Sequence, residues 1–198
     1  VTSQHQVLLY NTDTLDLAGI LPFPAGEPIA LSFHPSGKFL TVGGGTAGKS
    51  GTTITYDITN GDQILTTGKA YDSIIATSLR ADMQAIATGS PSKLIKTWNP
   101  TDNTQEHSIK KHTDWITALA YSHDGILLAS ADRNGGLWVW EAHSGNLLHT
   151  LRGHQARITS LKWSADSNSL ASTSEGGSLR IWNMKTGKEN KKITAHTP

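Results

Sequence analysis

The chain has 198 residues, a formal net charge of +1 and no cysteine. This length supports a hydrophobic core without disulfides or structural metal, and 17 basic against 16 acidic residues exclude a strongly basic nucleic-acid binder. The absence of cysteine excludes disulfides, thiolate catalysis, Cys-ligated zinc and covalent haem attachment within this chain. No apolar run reaches the roughly 20 residues of a membrane-spanning helix, so we expect no membrane insertion.

Short apolar runs separated by turn-forming residues make up most of the chain. Runs of this length, bounded by Gly, Asp, Asn and Ser, are typical of strands joined by tight hairpin turns. No stretch carries the i, i+3, i+4, i+7 apolar pattern of an amphipathic helix. Residues 116–121, 126–130 and 137–140 illustrate the strand pattern. We therefore predict an all-β fold.

These runs belong to an internal repeat. Tyr56, Trp98, Trp140 and Trp182 follow one another at intervals of 42 residues, and three histidines have the same spacing: His112, His154 and His196. Four strands fit into each repeat: one after the histidine, one ending in Ala-Ser or Ala-Thr, one ending at the tryptophan and a short outer one. We also expect Phe33, Tyr121 and Trp163, at equivalent positions of the first strands, to be buried in the core.

Four antiparallel strands that recur every 40–45 residues or so are typical of the blades of a β-propeller. In chain order, we predict a half blade and then four blades, at residues 6–23, 24–69, 70–111, 112–153 and 154–196. About four and a half blades form only a partial ring, whose open ends would favour association. We therefore expect a fragment or processed product, completed by further blades of a longer propeller or by a partner such as a second copy.

Two units, Lys111–Trp140 and Gly153–Trp182, resemble the WD-repeat (WD40) family along their whole length. The resemblance implies a non-catalytic scaffold for a protein or peptide partner. Segments such as Leu21–Pro24 and Ala131–Gly136 also resemble bacterial, planctomycete-type WD-repeat proteins that are joined to c-type cytochrome domains. This narrower resemblance implies an accessory domain of a larger redox protein, in an extracytoplasmic location, with the cytoplasm left open. Neither resemblance implies a cofactor bound to this chain.

In the WD-repeat family, a His, a Ser or Thr, a turn Asp and a Trp form a buried hydrogen-bonded chain. Carried over to this sequence, the structural network comprises the following residues: His112, Ser130 and Trp140; His154, Ser172 and Trp182; Thr88 and Trp98. The turn Asp position holds Asn134 in one unit and Gly176 in the next, so we expect the acidic member to be missing. A hydrolase triad does not fit, because the chain of residues ends on an indole N–H, which can only donate.

The segment Gly43–Ser50 satisfies the phosphate-binding pattern G-x-x-x-x-G-K-[ST]. A genuine phosphate loop continues into a helix, whereas the β-branched residues 52–55 that follow favour a strand. We interpret the segment as a long hairpin with a four-residue insertion, and keep a nucleotide- or anion-binding loop as the alternative.

Positions just before the first strands, and in the turns before the third strands, are candidates for partner contact. By resemblance, they lie near the narrow top face, where WD-repeat proteins commonly bind peptides. The candidate partner-binding residues are Glu27, Ser73, Trp115, Arg133, Arg157 and Glu175. Exposed Trp and Arg are enriched at interface hot spots, and Trp115 is the candidate apolar anchor. The nine histidines show no metal-ligand spacing, so we predict no metal site.

Overall fold

Five antiparallel sheets, all built from strands adjacent in sequence, make up the computed structural model. It describes residues 2–3 and 5–194, with side chains from residue 5 onward. The first sheet has the order β1 (Thr2–Ser3), β2 (Gln6–Tyr10), β3 (Leu17–Pro22). The second has the order β4 (Glu27–Phe33), β5 (Phe39–Thr46), β6 (Ser50–Asp57), β7 (Gln63–Ala70).

The remaining three sheets have four strands each. The third contains β8 (Ala76–Leu79), β9 (Ile86–Gly89), β10 (Leu94–Asn99), β11 (Thr104–Lys110). The fourth contains β12 (Ile116–Tyr121), β13 (Leu127–Asp132), β14 (Leu137–Glu141), β15 (Leu147–Thr150). The fifth contains β16 (Ile158–Trp163), β17 (Ser169–Ser174), β18 (Ser178–Asn183), β19 (Lys188–Thr194). The part of the chain that the structure describes has no helix long and apolar enough to cross a membrane.

The turns between the first and second strands of a sheet are stabilised by a carboxylate. Ser122 Oγ donates to Asp124 Oδ1 over 2.6 Å, and the Ile126 amide donates to the same oxygen over 3.0 Å. The fifth sheet repeats the arrangement, since Ser164 Oγ donates to Asp166 Oδ1 over 2.6 Å. Side chains of Ser and Asp that bond neighbouring backbone groups favour turns over continued strands.

The core lies between successive sheets. Packing passes from the innermost strand of each sheet to that of the next, from β4 to β8, β12 and β16. Val139 of the fourth sheet and Trp163 of the fifth, for example, belong to one buried cluster. The indole Nε1–H of Trp163 also donates to the carbonyl oxygen of Ala120 in the preceding sheet over 2.9 Å. The predicted all-β propeller of four-stranded blades, present as a partial ring, is confirmed.

The expectation that Phe33 is a core residue is wrong. Its side chain is 61% exposed, although Tyr121 and Trp163 at the equivalent positions are buried. Alternate side chains of an innermost strand pack on the innermost strand of the preceding sheet, as Trp163 does. The first sheet, over its described residues, has only β1, β2 and β3, so no innermost strand covers Phe33. His196, the last of the three repeat histidines, lies outside the described residues.

Candidate functional site

A buried hydrogen-bonded chain crosses the fourth sheet. The indole Nε1–H of Trp140 donates to Ser130 Oγ over 2.8 Å, and Ser130 Oγ lies 2.7 Å from His112 Nε2. Because Ser130 Oγ accepts from the indole, its own hydroxyl proton is available for a hydrogen bond with the His112 ring. A buried polar chain with every member paired makes the sheet rigid.

Asp132 completes this chain, which corrects the expectation that its acidic member is missing. His112 Nδ1 lies 3.0 Å from Asp132 Oδ2, and Asp132 Oδ1 accepts hydrogen bonds from the amides of Asn134 and Gly136. Burial alone would raise the pKa of Asp132, but the hydrogen bonds from His112 and the two amides outweigh it and lower that pKa. The carboxylate is thus supplied by Asp132, two positions before Asn134, where the family pattern places the acid.

The fifth sheet repeats the chain without a carboxylate. Trp182 Nε1–H donates to Ser172 Oγ over 2.9 Å, and Ser172 Oγ lies 2.7 Å from His154 Nε2. His154 Nδ1 has Ser178 Oγ at 3.3 Å in place of an acid. Burial, assisted by the positive charge of Arg180, lowers the pKa of His154 to about 4. His154 is therefore a neutral structural residue at physiological pH.

The third and second sheets retain fewer members of the buried hydrogen-bonded chain. Trp98 Nε1–H donates to Thr88 Oγ1 over 3.0 Å, and Ala70 stands where the fourth and fifth sheets have histidine. In the second sheet, Tyr56 replaces the tryptophan and its hydroxyl donates to the carbonyl oxygen of Pro22 in the first sheet. Ser130 and Ser172 are fully buried, so neither hydroxyl can reach a substrate.

The Gly43–Ser50 segment is a β-hairpin in this structure. β5 ends at Thr46 and β6 begins at Ser50, with Lys49 N–H donating to Thr46 O over 3.0 Å across the turn. The Gly48 amide donates to the carboxylate of Asp72 over 3.0 Å. The Asp72 carboxylate thus already accepts from a loop amide that a phosphate would need, and no helix begins after the loop.

A cleft at one end of the sheets brings together four of the six predicted partner-binding residues. Its volume is about 370 Å³, and it is lined by Trp115, Arg133, Arg157 and Glu175 together with Ile75 and Thr117. We call it the top-face cleft. The lining comes from the third, fourth and fifth sheets, so the cleft exists only when these sheets are packed together.

The side chains of the top-face cleft form two equivalent pairs, 42 residues apart. In the fourth sheet, the Arg133 guanidinium lies over the Trp115 ring, 5.3 Å from its centroid. In the fifth, Arg157 Nη1 lies 3.3 Å from Glu175 Oε1. The backbone joins each pair in the same way, since the Arg133 amide donates to Trp115 O and the Glu175 amide donates to Arg157 O. The repeat therefore places a cation–π pair beside an ion pair.

The two other predicted partner-binding residues lie outside this cleft. Ser73 is only 5% exposed, and its amide donates to Asp72 Oδ1 over 2.8 Å. Glu27 is exposed at the start of β4, where it pairs with Gly45.

Two lining residues, Ile75 and Thr117, were not predicted from the sequence. Thr117 Oγ1 donates to the carbonyl oxygen of Ile158 over 2.6 Å, which joins the fourth and fifth sheets under the cleft. The repeat offered a signal for both, because Ile75 and Thr117 are 42 residues apart and both follow a predicted contact position by two residues. Over the described residues, no group of three or more His, Asp or Glu side chains could hold a metal ion.

Comparison with known proteins agrees with this architecture. The family model "WD domain, G-beta repeat" matches residues 103–141 and 145–183, together less than half of the chain. A chain of the crystal structure of the mitotic checkpoint complex superposes with a TM-score of 0.83 at 22% identity, covering 98% of this chain and 60% of that chain. No curated protein matches.

The chain thus spans 60% of the length of the solved chain that it resembles. Altogether 1650 chains of solved structures match, so the fold is widespread and by itself specifies no single function. The narrower resemblance to cytochrome-linked bacterial proteins has no support in these matches and stays a prediction. The segments 103–141 and 145–183 are matched as WD40 repeats, and the chain has the WD40 β-propeller fold, with an open ring of five sheets over its described residues.

Proposed function

We propose that this chain is a non-catalytic interaction scaffold that binds a protein or peptide partner at the top-face cleft. The observation that carries the proposal is the exposure of Trp115, whose side chain is 44% exposed beside two arginines in a concave site. Tryptophan and arginine dominate interface hot spots because they combine a large apolar area with directed hydrogen bonds.

The rigid strands beneath the cleft favour partner binding over catalysis. Trp115 and Arg157 each precede an innermost strand, β12 and β16, and those strands are fixed by sheet pairing and by the Thr117 bond to Ile158. A rigid surface loses little conformational entropy on binding, so more of the contact energy appears as affinity. The Ser and His side chains of the hydrogen-bonded chains, which resemble catalytic groups, are buried in the sheets and do not line this cleft.

The comparisons support a scaffold in general terms. WD40 propellers are generally interaction scaffolds, and the solved chain reported above belongs to the crystal structure of the mitotic checkpoint complex. At 22% identity, the similarity shows a shared fold and does not identify the partner. The chemistry of the cleft residues is therefore the basis for choosing the binding surface.

The test is a selection of peptides from an unbiased random library on the immobilised full chain, followed by calorimetry with the selected peptides. We expect Trp115→Ala to weaken binding at least tenfold without changing the melting temperature by more than a few degrees. Tyr10→Ala is the matched control, because Tyr10 is an aromatic residue of similar exposure, 47%, in the first sheet. Binding that is insensitive to Trp115→Ala, or equally sensitive to Tyr10→Ala, would overturn the proposal.

A further inference from the structure

We infer that the top-face cleft selects an acidic peptide segment, in which a carboxylate side chain lies next to an apolar one. This inference rests on the proposed function and names the chemistry of the partner. Its basis is the charge of the cleft: two guanidinium groups, Arg133 and Arg157, face one carboxylate, Glu175.

Arg133 has no carboxylate partner among residues 5–194; its guanidinium contacts the Trp115 ring instead. A guanidinium whose charge interacts with an aromatic ring keeps N–H groups that can donate to a further partner. Two parallel N–H groups of a guanidinium match the two oxygens of a carboxylate. Arg133 therefore lies in the cleft beside Trp115 with donors that an incoming acid can use.

Arg157 is paired, but the pair is weak and exchangeable. The side chains of Arg157 and Glu175 meet only through the 3.3 Å approach of Nη1 to Oε1, and they are 49% and 54% exposed. Solvent-exposed pairs of this geometry contribute little to stability. A carboxylate of the partner, positioned in the cleft, can replace Glu175 on Arg157.

The apolar lining determines what lies beside the acid. Ile75 and the Trp115 ring are the two apolar side chains of the cleft, and they belong to adjacent sheets. A neighbouring aliphatic or aromatic side chain of the peptide would cover them. A basic segment would bring like charge against two arginines, which disfavours binding.

Random hexapeptide pools test the inference on the full chain, with one position fixed as Glu, Gln or Lys and the other five randomised. We expect the chain to retain the Glu pool at least fivefold better than the Gln pool, and the Lys pool least of all. Retention of the Glu pool should fall as ionic strength rises, because charge pairing is screened. A preference for the Gln or Lys pool would overturn the inference.

Single substitutions give a second and more specific readout. Arg133→Gln and Arg157→Gln should each reduce retention of the Glu pool at least fivefold, whereas Glu175→Gln should increase it about twofold to threefold because a competing carboxylate is removed. The controls are Arg152→Gln and Glu106→Gln, at exposed positions that do not line the cleft. A loss of retention with Glu175→Gln, or an equal loss with Arg152→Gln, would contradict the inference.

The outcomes separate this inference from the proposed function. Equal retention of all three pools that is lost with Trp115→Ala would leave peptide binding at the cleft standing and overturn only the acidic preference. Retention that does not depend on Trp115 would overturn both. Retention of a single-stranded oligothymidylate that exceeds the Glu pool and needs both arginines would replace the acidic peptide with a nucleic acid as partner.

Discussion

Nδ1 of His112 lies 3.0 Å from Oδ2 of Asp132, and both side chains are completely buried. The other nitrogen of the same ring contacts Ser130, so this imidazole has a partner on both sides. In the fifth sheet, the equivalent histidine, His154, has a hydroxyl in place of the carboxylate. The two sheets thus provide a natural comparison of one hydrogen-bonded chain with and without a buried acid.

Removing the histidine should destabilise the protein in both sheets, and more strongly in the fourth. We expect His154→Ala to lower the free energy of unfolding by roughly 1–3 kcal/mol, because it leaves buried partners unpaired. His112→Ala should cost more, since it also leaves the carboxylate of Asp132 buried without its partner. Urea unfolding of the two variants measures the difference.

The double variant His112→Ala with Asp132→Asn serves as the control for this comparison. It removes the charge that the single variant leaves unpaired, so it should recover part of the lost stability. Equal destabilisation by His112→Ala and His154→Ala, with no recovery in the double variant, would contradict a special contribution of the acid.

The pH dependence of stability should show the lowered pKa of His154. Because its folded pKa is about 4 against an ordinary 6.5, the unfolded chain binds the extra proton between these values. The stabilisation that neutral His154 provides is thus fully present above about pH 6.5. As the pH drops toward 4, the free energy of unfolding falls by about 3 kcal/mol. His154→Asn should flatten this slope in a series of urea titrations.

The control substitution for the pH series is His143→Asn, which makes the same change at an exposed histidine. Asp132 stabilises the folded state down to a lower pH than His154 does. Its lowered pKa keeps the carboxylate charged until the pH falls below the usual range of a carboxyl group. A parent chain whose stability does not change between pH 6.5 and 4 would contradict the assignment.

The 42-residue repeat was enough to predict the strands and the propeller, because each repeat places equivalent residues at the same level of neighbouring sheets. It also located Trp115, Arg133, Arg157 and Glu175, which follow that spacing in pairs. What the repeat could not supply was the contact made by a particular side chain. Asp132 stands two positions from the expected acid and reaches His112 only through the shape of its turn.

Burial was the other quantity that the repeat did not determine. Phe33 occupies the same strand position as Tyr121 and Trp163, yet its exposure depends on the preceding sheet rather than on its own sequence. Ser73 illustrates the opposite case, because a position equivalent to the exposed Trp115 is buried in the third sheet.

The hairpin at Gly43–Ser50 should not bind nucleotide. The Gly48 amide already donates to Asp72, and β6 begins where a phosphate loop needs a helix. Calorimetry with ATP and magnesium should therefore give no heat beyond dilution, and Lys49→Ala should leave the result unchanged. Saturable heat that disappears with Lys49→Ala would restore the phosphate-loop interpretation.

The exposed row Ile29, Leu31 and Phe33 on β4 should promote self-association of the 198-residue chain. These side chains are 46%, 42% and 61% exposed, and apolar patches that lack a partner favour association. Light scattering after size exclusion should show an apparent mass that rises with concentration. The double variant Leu31→Ser with Phe33→Ser should reduce that rise, and a parent mass of about one chain at every concentration would contradict the prediction.

Trp115 is the residue that we propose meets the partner, and its indole N–H signal can test this in one experiment. The chain has six tryptophans, and Trp98, Trp140, Trp163 and Trp182 donate their indole N–H to Thr88, Ser130, Ala120 and Ser172 inside the protein. In a ¹H–¹⁵N correlation spectrum, with Trp115→Phe used for assignment, titration of a selected peptide should move the Trp115 signal and leave these four in place. A bound peptide that leaves the Trp115 signal unchanged would contradict the top-face cleft as the binding surface.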